Sequence, residues 1–216
     1  MLSLHAVERY MERVMRADVD KDFIISNFYH LEMMIKDAYR KAEFIYEGAI
    51  NADTSETNKY YLYNNIVFIV SERGIILTIM TININEEIKT KYRATILELR
   101  DLLSSTKKQL DEKKSLALGF EKLSINGFSQ LSPLINITAT EIEELENKVQ
   151  ALEIMLKIVC KSLLYNRYTC SNRNIVEVYK QDLFRNNINT NSFEVKIIEN
   201  LILSDLYKVQ VCYNKH

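Results

Sequence analysis

A heptad repeat of apolar residues runs through the second half of the chain. Spacings of three and four positions alternate along Ile142, Leu145, Val149, Leu152, Leu156, Val159 and Leu163. This spacing places the residues on one stripe of a helix and is typical of the a and d positions of a coiled coil. The pattern predicts a long helix whose apolar stripe packs against another helix.

A weaker copy of the repeat precedes this one and predicts the partner helix. It consists of Ile96, Leu99, Leu103, Thr106, Leu110, Lys113 and Ala117. We predict that the two stripes face each other in an antiparallel hairpin with arms at about 89–118 and 138–168. A short connection favours pairing within one chain, with self-association through the hairpin as the alternative.

The predicted turn of the hairpin lies where helix-breaking residues cluster. Gly119, Gly127 and Pro133 fall between the two repeats, in a chain with four glycines and one proline, and both residue types interrupt helices. Thr138 and Glu141 have the spacing of a capping box, which is typical of a helix start. We therefore expect the second arm to begin at Thr138.

The first 88 residues are predicted to form a small α/β unit that contains a sheet, and we call this unit the head. Two helical patterns, Leu2–Met15 and about Lys21–Tyr39, come first. Four runs rich in Ile, Val, Tyr and Thr follow and read EFIYEGAI, KYYLYN, IVFIVS and GIILTIMTINI, which is typical of strands. Asn64–Asn65 and Glu72–Gly74 supply tight turns between the last three runs. An antiparallel meander packed against two helices is expected.

The whole chain is therefore predicted to be α+β, with a head at 1–88 and a helical part at 89–216. Two shorter amphipathic helices, NIVEVYKQDLF and SFEVKIIENLILSDLYKV, are expected after the hairpin. Cys160, Cys170 and Cys212 form no C-x-x-C pair, so we expect reduced thiols. We also expect a cytoplasmic protein without a membrane span, since no run approaches about 20 uncharged apolar residues.

Charge is uneven along a chain whose formal net charge is -1. Residues 1–88 hold 9 Lys and Arg against 14 Asp and Glu, a net of -5, and the remainder holds 19 against 15, a net of +4. An acidic head repels a polyanion, so RNA is disfavoured as a partner.

One face of the predicted first helix carries a histidine and several arginines. At 100° per residue, one side of this helix carries His5, Arg9, Glu12 and Arg16, and Arg13 lies beside them. The opposite side is expected to be buried and consists of Leu4, Val7, Met11 and Val14. His5 could move a proton while the arginines hold a phosphate. The alternative is a solvated face whose charge Glu12 compensates.

The run HAVERYMER, a second helix and a meander ending in GIILTIMTI resemble the RelE, BrnT and barnase-like superfamily of small ribonuclease toxins. The resemblance covers about 80 residues. It implies an active surface on a four-stranded antiparallel sheet. By matching, the catalytic candidates would be His5, Arg9, Arg13 and Thr78, and Tyr61 would be an additional binding residue beside Arg16.

No nucleotide-binding or nucleophile motif occurs, and we predict no metal and no cofactor. His30 lacks a ligand partner four residues on and is expected to be half-buried. The sequence thus favours a non-enzymatic interaction protein that binds a partner protein or itself through the hairpin. Because Ile, Asn, Lys and Tyr are abundant, as in AT-rich bacteria and their phages, we expect by analogy a phage-encoded or mobile-element inhibitor of a host system. The alternative is a RelE-like toxin that cleaves or binds RNA with the His5, Arg9 and Arg13 face.

Overall fold

The computed structural model describes residues 1–50, 57–82, 86–125 and 131–165. Within them the fold is α+β, as predicted: N-terminal helices, a four-stranded antiparallel sheet and two long helices that pack together. These residues divide into two compact units, one with residues 1–93 and 160–165 and the other with residues 94–159. The predicted boundary at residue 88 stays a prediction, and the predicted C-terminal helices lie outside the described residues.

The first helix differs from its prediction in length and in type. Helix α1 spans Leu4–Tyr10, and a π-helical turn, Met11–Met15, follows and ends at Arg16 in a left-handed conformation (φ 53°). The expected continuous α-helix is therefore wrong in its second half. A π-helical turn holds more residues than an α-helical one, so the side chains beyond Met11 do not keep the angular positions predicted at 100° per residue.

The buried side of this segment also differs from the prediction. Val7 and Met11 are buried as expected, but Leu4 is exposed and Val14 is only half-buried. The additional buried residues are Leu2, Ala6 and Tyr10.

The predicted second helix is two helices. Helix α2 spans Lys21–Ser26 and α3 spans Phe28–Arg40, and Asn27 between them leaves helical geometry (φ -108°, ψ 10°). Ile24, Leu31, Ile35 and Ala38 of these two helices are buried, whereas Phe23 is exposed. The expectation that His30 is half-buried is wrong, because it is exposed.

The strands and their turns confirm the predicted meander. They are β1 (Glu43–Gly48), β2 (Asn58–Tyr63), β3 (Ile66–Ser71) and β4 (Ile76–Thr81), in the order β1-β2-β3-β4 and antiparallel throughout. Asn64 (φ 52°) and Gly74 (φ 76°) occupy positive φ in the two predicted turns, as tight hairpin turns require.

The N-terminal helices cover one face of this sheet. Apolar residues of α1, α2 and α3 form a core with Phe68 of β3 and Ile79 of β4. Since side chains alternate along a strand, Tyr60, Leu62, Val67 and Ile69 lie on the opposite face, where they are also buried.

Ser3 connects the first helix to the edge of the sheet. Its hydroxyl accepts a hydrogen bond from the Ala6 N–H (3.1 Å) and donates one to the Leu77 carbonyl (2.8 Å). The same hydroxyl thus caps α1 and positions the helix beside β4.

The long helices are α4 (Glu86–Ile125) and α5 (Ser132–Tyr165). Within the second unit they are antiparallel, as ion pairs show: Lys113 with Glu141 (2.5 Å), Lys114 with Glu146 (2.8 Å) and Lys107 with Glu153 (2.7 Å). The two helices contact each other through the predicted stripes. The buried residues of these stripes include Leu99, Thr106, Leu110, Val149, Leu152 and Leu156.

The predicted ends of the arms are wrong, since both helices extend further toward each other. Gly119 lies inside α4, and Thr138 lies inside α5, where its hydroxyl donates to the Leu134 carbonyl (2.7 Å) instead of capping a helix start. A glycine in a helix interior costs about 1 kcal/mol relative to alanine, which is too little to end a 40-residue helix. Pro133 stands in the first turn of α5, where its missing N–H has no partner to lose.

Candidate functional site

The exposed side of α1 carries basic groups that are paired with carboxylates on the same segment. The Arg9 guanidinium is hydrogen-bonded to the Glu12 carboxylate, and this contact holds the pKa of Glu12 below its ordinary value. His5 Nδ1 lies 3.7 Å from a carboxylate oxygen of Glu8. Both groups therefore have a local counter-charge, as the solvated-face alternative requires.

Arg13 has a structural contact. Its guanidinium donates to the Ile79 carbonyl of β4 at 3.0 Å, and the side chain is partly buried. The arginine ties the π-helical turn to the sheet and leaves fewer donors for a phosphate.

Arg16 lies at the left-handed end of the π-helical turn and lines a cavity of about 520 Å³. Its other lining residues are Glu8, Glu12, Ala17, Asp18, Val19, Lys21 and Ile24. With three carboxylates among the lining residues, the cavity does not offer the net positive charge that a phosphate needs.

The strand candidates do not join this group. Thr78 pairs with Ile69 and lies on the sheet face opposite the one that the N-terminal helices cover. Tyr61 is on the covered face, where its ring contacts those of Tyr39 (centroids 5.1 Å apart) and Phe44 (5.6 Å). The structure brings His5 and Arg9 together on α1, places Arg13 and Arg16 on the following turn, and separates Thr78 from all of them.

A second surface lies on the helix pair, at the end where α4 finishes and α5 begins. Large apolar side chains are exposed there, with relative exposures of 45% for Leu116, 48% for Leu123, 46% for Leu134 and 57% for Ile137. We call these four residues the apolar flank. Leu118 and Ile125 are exposed at the same end.

The heptad positions explain why the apolar flank is unusual. With Ile96 and Ile142 as a positions, Leu116, Leu123 and Leu134 are g positions and Ile137 is a c position. The g and e positions beside a coiled-coil seam usually carry charged residues. The e side follows this rule, since it holds the Lys107–Glu153 and Lys114–Glu146 pairs. One side of the hairpin thus holds these two ion pairs, whereas the other exposes leucines at three g positions and also holds the Lys113–Glu141 pair.

The ion-pair register aligns the apolar residues of the two helices. Because Lys113 contacts Glu141, residues that follow Lys113 in α4 run alongside residues that precede Glu141 in α5. By this pair Leu123 is level with Leu131, and by the Lys114–Glu146 pair it is level with Ile137, so Leu134 lies within the stretch of α5 that runs beside Leu123. The apolar flank therefore includes residues of both helices at the same end of the hairpin.

An open groove adjoins the apolar flank. It has a volume of about 480 Å³, and its lining combines leucines with acidic and amide groups: Gln109, Glu112, Lys113, Leu116, Glu141, Glu144 and Leu145. The Lys113–Glu141 pair crosses it. The lining of the groove thus combines two leucines with three carboxylates and one lysine.

Sequence reasoning missed the apolar flank because it followed only the a and d positions. Leucines at g positions were a readable signal, but a g residue is exposed or buried according to which other elements pack beside it. Among the described residues there is no group of three metal-ligating side chains and no helix long and apolar enough to cross a bilayer.

Comparisons with family models, with curated proteins and with solved structures find no match for this chain.

Proposed function

We propose that this chain is a non-enzymatic protein-binding protein and that its helical hairpin holds the partner through the apolar flank. The observation that carries the proposal is the asymmetry of the hairpin, in which four e positions form two ion pairs and three g positions expose leucines. Exposed apolar strips rimmed by polar residues are typical of protein-interaction sites.

The energy available from the apolar flank fits a site that needs further contacts. Complete burial of a Leu or Ile side chain is worth about 1.5–3 kcal/mol, and only about half of the surface of each of these four exposed residues is still accessible to be buried. The strip then supplies about 4 kcal/mol, close to the lower end of the cost of association, about 4–15 kcal/mol. Polar contacts around the strip must therefore contribute to affinity and specificity.

The RNA-directed alternative has less support from the geometry. Arg9 and His5 face carboxylates, Arg13 binds a backbone carbonyl, and Thr78 lies on the other face of the sheet. Cleavage or binding of total RNA at low salt, lost on changing Arg9 and Arg13 to Ala, would favour this alternative. The host-directed inhibitory role and the resemblance to RelE-like toxins stay predictions.

A capture experiment with matched variants tests the proposal. Leu116→Glu/Leu123→Glu places charges on the apolar flank, whereas Leu97→Glu/Leu118→Glu places the same charges at exposed b positions of the same helix. Retention of a partner from a lysate of the cells that contain the protein should be lost in the first variant and kept in the second. Circular dichroism establishes that both remain helical. Equal retention by the two variants would contradict the proposal.

A further inference from the structure

We infer that the partner segment which lies on the apolar flank is an amphipathic helix with basic residues along its edges. The inference rests on the proposed function and specifies the chemistry of the partner. It draws on the heptad positions of the exposed leucines and on the charges around the groove.

The heptad positions point to a helix as the occupant. An apolar stripe confined to a and d positions serves a two-helix seam, whereas a stripe widened to g positions is typical of helices that pack in a larger bundle. Leu116, Leu123 and Leu134 widen the stripe in this way. A third helix laid in the groove would cover them with residues spaced at i, i+3, i+4 and i+7.

The incomplete burial of the hairpin's own a and d residues near the connection strengthens this conclusion. Toward the connection, the apolar a and d residues Phe120, Leu131 and Ile135 are only partly buried. Farther along the hairpin, Leu99, Leu110, Val149 and Leu152 are buried at such positions. The end of the hairpin that exposes leucines is therefore also the end whose seam is least completely covered.

The charges point to a basic partner. Glu112 of α4 and Glu144 of α5 line the groove from its two sides and are exposed. Glu112 has one long contact, to the exposed Lys108 at 3.9 Å, and an exposed pair of this kind holds the carboxylate only weakly. Glu141 also lines the groove, and its counter-charge, Lys113, is the one cation among the lining residues. The lining residues therefore hold three carboxylates against one Lys, a net of -2. A helix with Lys or Arg on both edges would meet a carboxylate on each side.

The same charges disfavour a second copy of this chain as the occupant. A two-fold contact places the same surface patch on both partners. Glu112 and Glu144 of one copy would then approach those of the other, and opposed like charges are costly at an interface. Charge complementarity therefore selects a basic helix over self-pairing of the flank.

The test uses synthetic helical peptides and the full chain. Three labelled probes of about three heptads are compared by fluorescence anisotropy: an amphipathic helix with Lys and Arg edges, the same helix with Glu edges, and a basic peptide of the first composition with its leucines scattered. Glu112→Lys/Glu144→Lys reverses the charges at the groove. Asp111→Lys/Glu143→Lys reverses neighbouring exposed charges at b positions and is the matched control.

The basic amphipathic probe should bind at least about tenfold more tightly than either other probe, and its affinity should fall with added salt. The groove variant should lose about tenfold in affinity for it, and the control variant should stay within about twofold. Equal binding of all three probes would overturn the inference, as would an equal loss in the two charge variants. A wild-type dimer in light scattering that the groove variant abolishes would identify a second copy as the occupant and overturn it too.

Failure of this inference can be told apart from failure of the proposed function. If no probe binds while Leu116→Glu/Leu123→Glu still abolishes capture of a partner, the flank binds protein but the occupant is not a basic helix. If that variant also leaves capture unchanged, both proposals fail.

Discussion

Arg13 and Arg9 are four residues apart, yet they have different surroundings. Arg13 donates to the Ile79 carbonyl in a partly buried position, and Arg9 pairs with exposed Glu12. Arg13→Ala should lower the free energy of unfolding by about 1–2 kcal/mol, because it leaves that carbonyl without its donor. Arg9→Ala should change it by less than about 0.5 kcal/mol, as for exposed ion pairs. Urea denaturation of both variants tests this, and equal losses would contradict it.

Tyr39 gives the head a predicted sensitivity to alkaline pH. Burial, together with a hydrogen bond to Tyr61, raises its pKa from 10.0 to about 12. The folded state therefore favours the neutral phenol. Its contribution to stability is complete below pH 10.0 and is lost as the pH rises through about 12.

Tyr39→Phe should flatten the loss of stability over this pH range, because phenylalanine cannot ionise. Tyr29→Phe is the control, since Tyr29 is largely exposed. Urea midpoints measured from neutral to alkaline pH compare the two variants with the wild type. Identical pH profiles for Tyr39→Phe and the wild type would show that Tyr39 does not cause the alkaline loss.

Gly119 and Gly74 test the helix and turn assignments at the scale of elements. Gly119 is inside α4, and a Cβ there would meet no atom within 4 Å, whereas Gly74 has φ 76° in the β3–β4 turn. Gly119→Ala should stabilise the protein by about 0.5–1 kcal/mol, and Gly74→Ala should destabilise it, because alanine is strained at positive φ. Thermal unfolding of the two variants shows whether each substitution raises or lowers the stability. Destabilisation by Gly119→Ala would instead support a turn at that position.

Sequence patterns predicted the elements whose signal is repeated over many residues. The heptads of α4 and α5 and the alternation in β2 to β4 each combine many weak preferences, so the helix pair and the meander were readable. Single-residue signals failed where tertiary structure supplied a competing contact. The hydroxyl of Thr138 found the Leu134 carbonyl inside a helix, and Asn27 interrupted a continuous apolar stripe.

At the scale of the whole molecule, only part of the candidate site could be predicted from the sequence. The sequence predicted that the hairpin binds a partner, which stays a prediction, and it also grouped His5, Arg9, Arg13 and Thr78 through a resemblance. The π-helical turn and the strand register, which separate those residues, depend on contacts distant in sequence. The apolar flank could be identified only from the structure, because the ion pairs show which side of each helix carries the paired charges.

Site-specific photo-cross-linking tests the central claim, that the apolar flank is the surface that holds a partner protein. A photoreactive residue is introduced singly at Leu116, Leu123 or Ile137, and at Leu97 as the control. On irradiation with a lysate of the source cells, the three flank positions should form an adduct with one and the same protein, and position 97 should not. Adducts that are equally frequent at all four positions, or that form only at position 97, would contradict the account.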